Sequence, residues 1–83
     1  MNVVFSKSAA LEFRKLSKNI QARVKAKLAF FSGQNNPLAF AKPMHDSDFG
    51  EYRFRVGDYR IIFDIINNSI FVLKVGHRRE IYR

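Results

Sequence analysis

Apolar residues run first as a short cluster, then at helical spacing, and finally in alternation with polar ones. The cluster, Asn2-Val3-Val4-Phe5, reads as a strand. Ser6 can cap a helix over about Lys7–Lys18, whose apolar stripe is Ala9, Ala10, Phe13 and Leu16. Arg14, Lys15 and Lys18 fall toward its C-terminal end, where the helix dipole favours cations. Lys18-Asn19 reads as the break. Ile20, Val24, Leu28 and Phe31 then recur at amphipathic spacing up to Gly33, with Arg23, Lys25 and Lys27 beside them facing solvent. Two helices with so short a link are expected to form a hairpin that covers one face of a sheet. Asn35-Asn36-Pro37 opens a connector reaching Phe49, anchored by Leu38, Ala39, Phe40 and Met44.

The period becomes two from Glu51 or Tyr52 onward. Tyr52, Phe54 and Val56 alternate with Arg53 and Arg55, and Tyr59, Ile61, Phe63 and Ile65 alternate with Arg60, Ile62, Asp64 and Ile66. Gly57-Asp58 and Asn67-Asn68 are hairpin turn signals, since Gly and Asn tolerate positive φ. Turns centred there set Arg55 opposite Arg60 and Phe54 opposite Ile61, then Arg60 opposite Val75, Tyr59 opposite Gly76 and Ile62 opposite Leu73. Phe54, Ile61, Phe63, Ile65, Ile70 and Val72 form the face expected under the helices. Ile62, Phe71, Leu73 and Val75 share the other face with the arginines, as a concave wall or a partner interface. The expected class is α+β: an N-terminal strand, a helical hairpin, then a three-stranded antiparallel meander joined with the first strand in one mixed sheet.

Eighty-three residues point to a single domain over 1–83, and without cysteine it has neither disulfides nor a thiolate metal site. No transmembrane-length run or leader pattern stands in the sequence, so the expectation is a cytoplasmic protein with no membrane partner. Fifteen Lys and Arg against seven acids give a formal net charge of +8, which by itself predicts attraction to nucleic acid, to an anionic membrane or to an acidic protein partner without choosing among them. His45, Asp46 and Asp48 lack further ligands, and His77 lies far along the chain among arginines, so neither a metal nor a cofactor is expected. No Gly-rich phosphate loop and no Ser/His/Asp spacing is present, which sets aside nucleotide hydrolysis and acyl transfer.

Most of the unexplained positive charge converges on one sheet end. Arg53, Arg55, Arg60 and the His77-Arg78-Arg79 tail meet there, and like charges facing each other on a sheet are unfavourable unless something compensates. Guanidinium groups suit phosphate, so a polyanion site is the reading preferred over arginines paired with Glu51, Asp58, Asp64 and Glu80.

Glu51-Tyr52-Arg53-Phe54-Arg55-Val56-Gly57-Asp58-Tyr59-Arg60, with Val75-Gly76-His77-Arg78-Arg79-Glu80-Ile81-Tyr82, resembles the end of the RelE/ParE superfamily of toxins, on its RelE side. The expected order of elements is also that family's, over essentially the whole chain. The resemblance implies a ribosome-dependent, metal-independent endoribonuclease (mRNA interferase) of a type II toxin–antitoxin pair. Such a toxin cuts mRNA in the A site by attack of the ribose 2′-hydroxyl on the adjacent phosphate. It implies as partners the ribosome, mRNA and a RelB-like antitoxin, acidic or amphipathic. Arg53 and Arg55 match two basic positions where lysine is often found, Arg60 and Arg78 the two essential arginines, and Tyr82 the tyrosine that stacks on a base.

The reaction needs donors on the phosphate, a base for the 2′ proton and an acid for the 5′ oxygen. Arginines supply the first plainly and the others poorly. His77 is therefore the expected sharer of acid or base work, against a purely structural histidine. No additional C-terminal helix follows, which leaves Tyr82 expected to be exposed or easily disordered. Two alternatives stay open: a ParE-like inhibitor of DNA gyrase, and a non-toxic degenerate homologue that only binds an antitoxin.

Overall fold

The computed structural model describes residues 1–45 and 49–82. Its elements are β1 (Asn2–Phe5), α1 (Lys7–Arg14), α2 (Lys18–Ser32), a 3-10 turn (Pro37–Phe40), β2 (Lys42–Pro43), β3 (Tyr52–Val56), β4 (Tyr59–Ile66) and β5 (Ser69–His77). They form the expected α+β arrangement, with β1 parallel to β5 and the order β1-β5-β4-β3-β2. The connector contributes β2, a short edge strand that the sequence reading did not foresee.

The helical break lies earlier than Lys18-Asn19. The α1 helix ends at Arg14, and Ser17 caps α2 by accepting from the Ile20 amide. A serine hydroxyl satisfies an orphan amide that Lys18 and Asn19, already inside the helix, do not. The Gln21 side chain donates back to the carbonyls of Arg14 and Leu16, closing the link. Val24, Leu28 and Phe31 are buried as their spacing predicts. Phe31 stacks on Phe54 at 4.1 Å between ring centroids, and Phe54 on Phe63 at 4.2 Å, so α2 is joined to β3 and β4 through one column of rings.

The first hairpin has the expected register, with Arg55 opposite Arg60 and Gly57 at φ 58°. The second turn places both Asn67 and Asn68 at positive φ. From that turn the β4–β5 pairing runs as expected to Phe63 opposite Val72, and there it slips. Ile62 faces Lys74 rather than Leu73, Ile61 faces Val75, Arg60 faces Gly76 and Tyr59 faces His77. Leu73 is the extra residue of a β-bulge, and one extra residue exchanges the faces of all that follow it in β5. Val75 consequently turns from the arginine face into the core, where it is 2% exposed.

Candidate nucleic-acid interface

Alternation in β3 and β4 carries Arg53, Arg55 and Arg60 to the face away from the helices, because Phe54, Val56, Ile61 and Phe63 are needed in the core. Arg60 Nη1 donates to the carbonyl of Gly57 at 2.8 Å and to its neighbour Tyr59 at 2.9 Å, and Arg55 Nε donates to Gly57 as well. Burial, together with the charges of Arg55, Arg53 and Arg78, holds the Arg60 guanidinium below its ordinary pKa, and Tyr82 opposes that shift. A shallow hollow of about 130 Å³ opens here, lined by Phe40, Lys42, Arg53, Arg55 and Arg60. Lys42, opposite Arg53 across the β2–β3 pair, is a cation that sequence reasoning missed. Its only signal was a lysine in a connector with no recognised strand.

The chain after β5 turns back on itself. Glu80 and Ile81 both donate their amides to the His77 carbonyl, and Ile81 is buried at 3% exposure. The Arg78 amide donates to the Asp58 carbonyl at 2.8 Å, which ties the turn to the first hairpin loop. The Arg78 side chain reaches Asp58 at 3.8 Å with both partners largely exposed, a weak pair. Tyr82 lies at the arginine face: its hydroxyl accepts from Arg53 Nη1 at 3.2 Å and its ring stands 6.2 Å from that of Phe49. Phe49 in turn lies under Lys74, whose ammonium is 4.8 Å from the ring centroid. Phe49 and Lys74 were also missed, Phe49 because it stood only as the end of the connector and Lys74 because the unbulged register turned it inward.

His77 does not join the arginines. The bulge puts it on the opposite face, edge-on to Tyr59 at 5.3 Å, with Nδ1 accepting from the Arg79 amide at 3.1 Å. It lines a separate hollow of about 460 Å³ together with Glu12, Lys15, Leu16 and Glu80. The structure thus brings Arg53, Arg55, Arg60, Arg78 and Tyr82 together and leaves His77 behind the sheet. Among the described residues, no group of three or more His, Asp or Glu could hold a metal, and no helix is long and apolar enough to cross a membrane. Asp46 and Asp48 lie outside the described residues.

Comparison with known proteins agrees with this geometry. Toxin RelG of Mycobacterium tuberculosis is 32% identical over 83 residues, covering 98% of this chain and 94% of that protein. The toxin–antitoxin complex RelBE2 of the same organism contains a chain of similar structure, with 29% identity, a TM-score of 0.75 and coverage of 93% of this chain and 96% of that one. The intact RelBE complex of E. coli shares the fold at 22% identity and a TM-score of 0.72, over 92% of this chain and 94% of that one. The sequence model of the family described as ParE toxin of type II toxin–antitoxin system matches residues 3–82. This chain belongs to that family of toxins, within the RelE/ParE superfamily and on its RelE-like branch.

Proposed function

We propose that the protein is a ribosome-dependent endoribonuclease that cleaves mRNA in the A site by 2′-hydroxyl attack on the adjacent phosphate. The observation carrying this reading is the convergence of Arg53, Arg55 and Arg78 on Arg60, which Arg55 faces across the hairpin, with Tyr82 against Arg53. Among the described residues Asp58, at 3.8 Å from Arg78, is the one acid in an ion pair with these four cations, which leaves a site whose unmet need is an anion.

Arg60 and Arg78 hold the phosphate and stabilise charge developing on its oxygens, with Arg53 and Arg55 adding to the field. Tyr82, 41% exposed, stacks on a base and fixes the nucleotide for in-line attack. Arg60 stays charged at neutral pH and serves as a fixed hydrogen-bond donor to the phosphate oxygens rather than as an acid or base. Metal plays no part in this scheme, since guanidiniums do the work of charge neutralisation. His77, on the far face, acts through the turn it holds rather than on the substrate. The ribosome supplies the positioning that so weak an acid–base set lacks.

The partner is a RelB-like antitoxin. An acidic or amphipathic segment complements the arginine face and the neighbouring apolar strip, where Val4 pairs with Phe71 and is 43% exposed.

The test is cleavage of mRNA in a purified translation system, mapped relative to the A site. Wild type should cut there much faster than free RNA, and Arg60→Ala and Arg78→Ala should each lose about a hundredfold or more in rate. Inhibition of DNA supercoiling without RNA cleavage would select the gyrase reading. Absence of growth arrest on expression would select a protein that only binds its antitoxin.

A further inference from the structure

We infer that Phe49 is a second base-stacking residue, and that with Tyr82 it forms a two-ring corner holding two consecutive nucleotides of an RNA strand. The inference rests on the ribonuclease reading for its place in the reaction, but it concerns a different residue and a different base.

The segment carrying Phe49 is fixed to the open face of the sheet by specific contacts. Gly50 approaches so closely that a Cβ there would stand 2.7 Å from Ile62 Cγ2 and 3.1 Å from Leu73 Cδ1. Glu51 donates its amide to Asp64 Oδ1 at 2.7 Å, and the Glu51 carbonyl accepts from the Met44 amide at 2.8 Å. Ile62 is wholly buried on a face otherwise open to solvent, which follows from this cover. Phe49 is therefore held in place before any RNA arrives.

Its surroundings suit a nucleotide. The rings of Phe49 and Tyr82 stand 6.2 Å apart at an interplanar angle of 52°. That tilt is too great for one base to lie parallel to both rings, so the corner suits two bases, one to each ring. Lys74 stands against Phe49 and Arg53 against Tyr82, so a cation for the backbone accompanies each ring. Alternating rings and cations along a groove are what single-stranded RNA requires. Lys74 reaches this face only because of the bulge at Leu73, which gives that irregularity a use.

The chain contains no tryptophan, so Phe49→Trp introduces a single indole as a reporter. A short 2′-O-methyl RNA oligonucleotide, which cannot be cleaved, should quench its emission. Phe49→Leu keeps an apolar side chain without a ring and should weaken binding of that RNA about tenfold, whereas Phe49→Tyr should bind like wild type. In the translation assay Phe49→Leu should raise KM with little change in kcat, and should alter which codons are cut. Wild-type cleavage together with equal binding and cleavage by Phe49→Leu overturns this inference and leaves the nuclease reading standing. RNA binding that depends on Phe49 without any cleavage sinks the nuclease reading alone. A wild type that neither binds nor cuts RNA overturns both.

Discussion

Arg55 and Arg60 face each other across the first hairpin, and both turn their guanidinium groups to one acceptor, the carbonyl of Gly57. Two cations sharing a single oxygen on a sheet surface cost stability that the fold does not need to lose. On the proposed reading, the pair is the floor of the phosphate site, and an anion there offsets the repulsion.

Replacing Arg55, the more exposed of the two, should therefore separate stability from activity. Arg55→Thr, with a side chain suited to a strand, should stabilise the protein by about 0.2–1 kcal/mol in urea unfolding and slow mRNA cleavage. Sulfate should raise the melting temperature of wild type more than that of the variant, since an anion relieves the repulsion the substitution has removed. The sign for Arg60 follows from its lowered pKa: the charged form is disfavoured by folding, and stability is regained only as pH rises through that folded value, far into the alkaline range. Arg60 should therefore add no slope to stability across neutral pH, and an Arg60→Gln minus wild-type difference that varied there would contradict this origin.

The closeness of Gly50 to the sheet gives a second prediction. Gly50→Ala would press a methyl group into Ile62 and Leu73, neither of which can move freely beneath the segment. Destabilisation of about 1–3 kcal/mol is expected by urea unfolding. Arg60 and Gly57 lie beyond its reach, so the first hairpin should keep its amide-exchange protection while the amides of Glu51, which donates to Asp64, and Met44, which donates to Glu51, lose theirs.

Much of this arrangement was legible from residue spacing, and the one large misreading has a physical cause. The first hairpin follows from Gly57-Asp58 and strict alternation, and the arginine face follows from both. β5 is different, because Ile70-Phe71-Val72-Leu73-Lys74-Val75 is apolar on both faces and its period does not fix a register. An unbroken register would have turned Lys74 into the core alongside Ile70 and Val72. That unpaired buried ammonium was the available sign of a bulge, and heeding it would have moved His77 off the arginine face. The short strand β2 left no comparable mark: Lys42–Pro43 carries no alternation, and its place beside β3 is set by tertiary packing.

The position of His77 makes its own prediction. Nδ1 accepts the Arg79 amide and so holds the turn that carries Arg78 and Tyr82. His77→Ala should lower cleavage through looser positioning, by about tenfold or less, because a lost hydrogen bond contributes about 0.5–1.5 kcal/mol. Asn at this position offers an oxygen near the same place and should restore part of the rate. A histidine acting directly on the substrate would behave differently: both variants would fail alike, and each would lose a limb of the pH–rate profile.

On the proposed reading, Asp58 competes with the substrate for Arg78. Their side chains are 3.8 Å apart and both are more than half exposed, so the pair contributes little to stability, whereas a phosphate approaching Arg78 must displace the carboxylate. Asp58→Asn removes that competitor and one negative charge, and keeps the backbone carbonyl that accepts the Arg78 amide. Unfolding free energy should change by less than about 1 kcal/mol. KM in the translation assay should fall severalfold with kcat nearly unchanged, because freeing Arg78 strengthens ground-state and transition-state binding alike. A rise in KM would mean instead that Asp58 orients Arg78 for the phosphate, and Asp58→Ala would then be the more damaging change of the two.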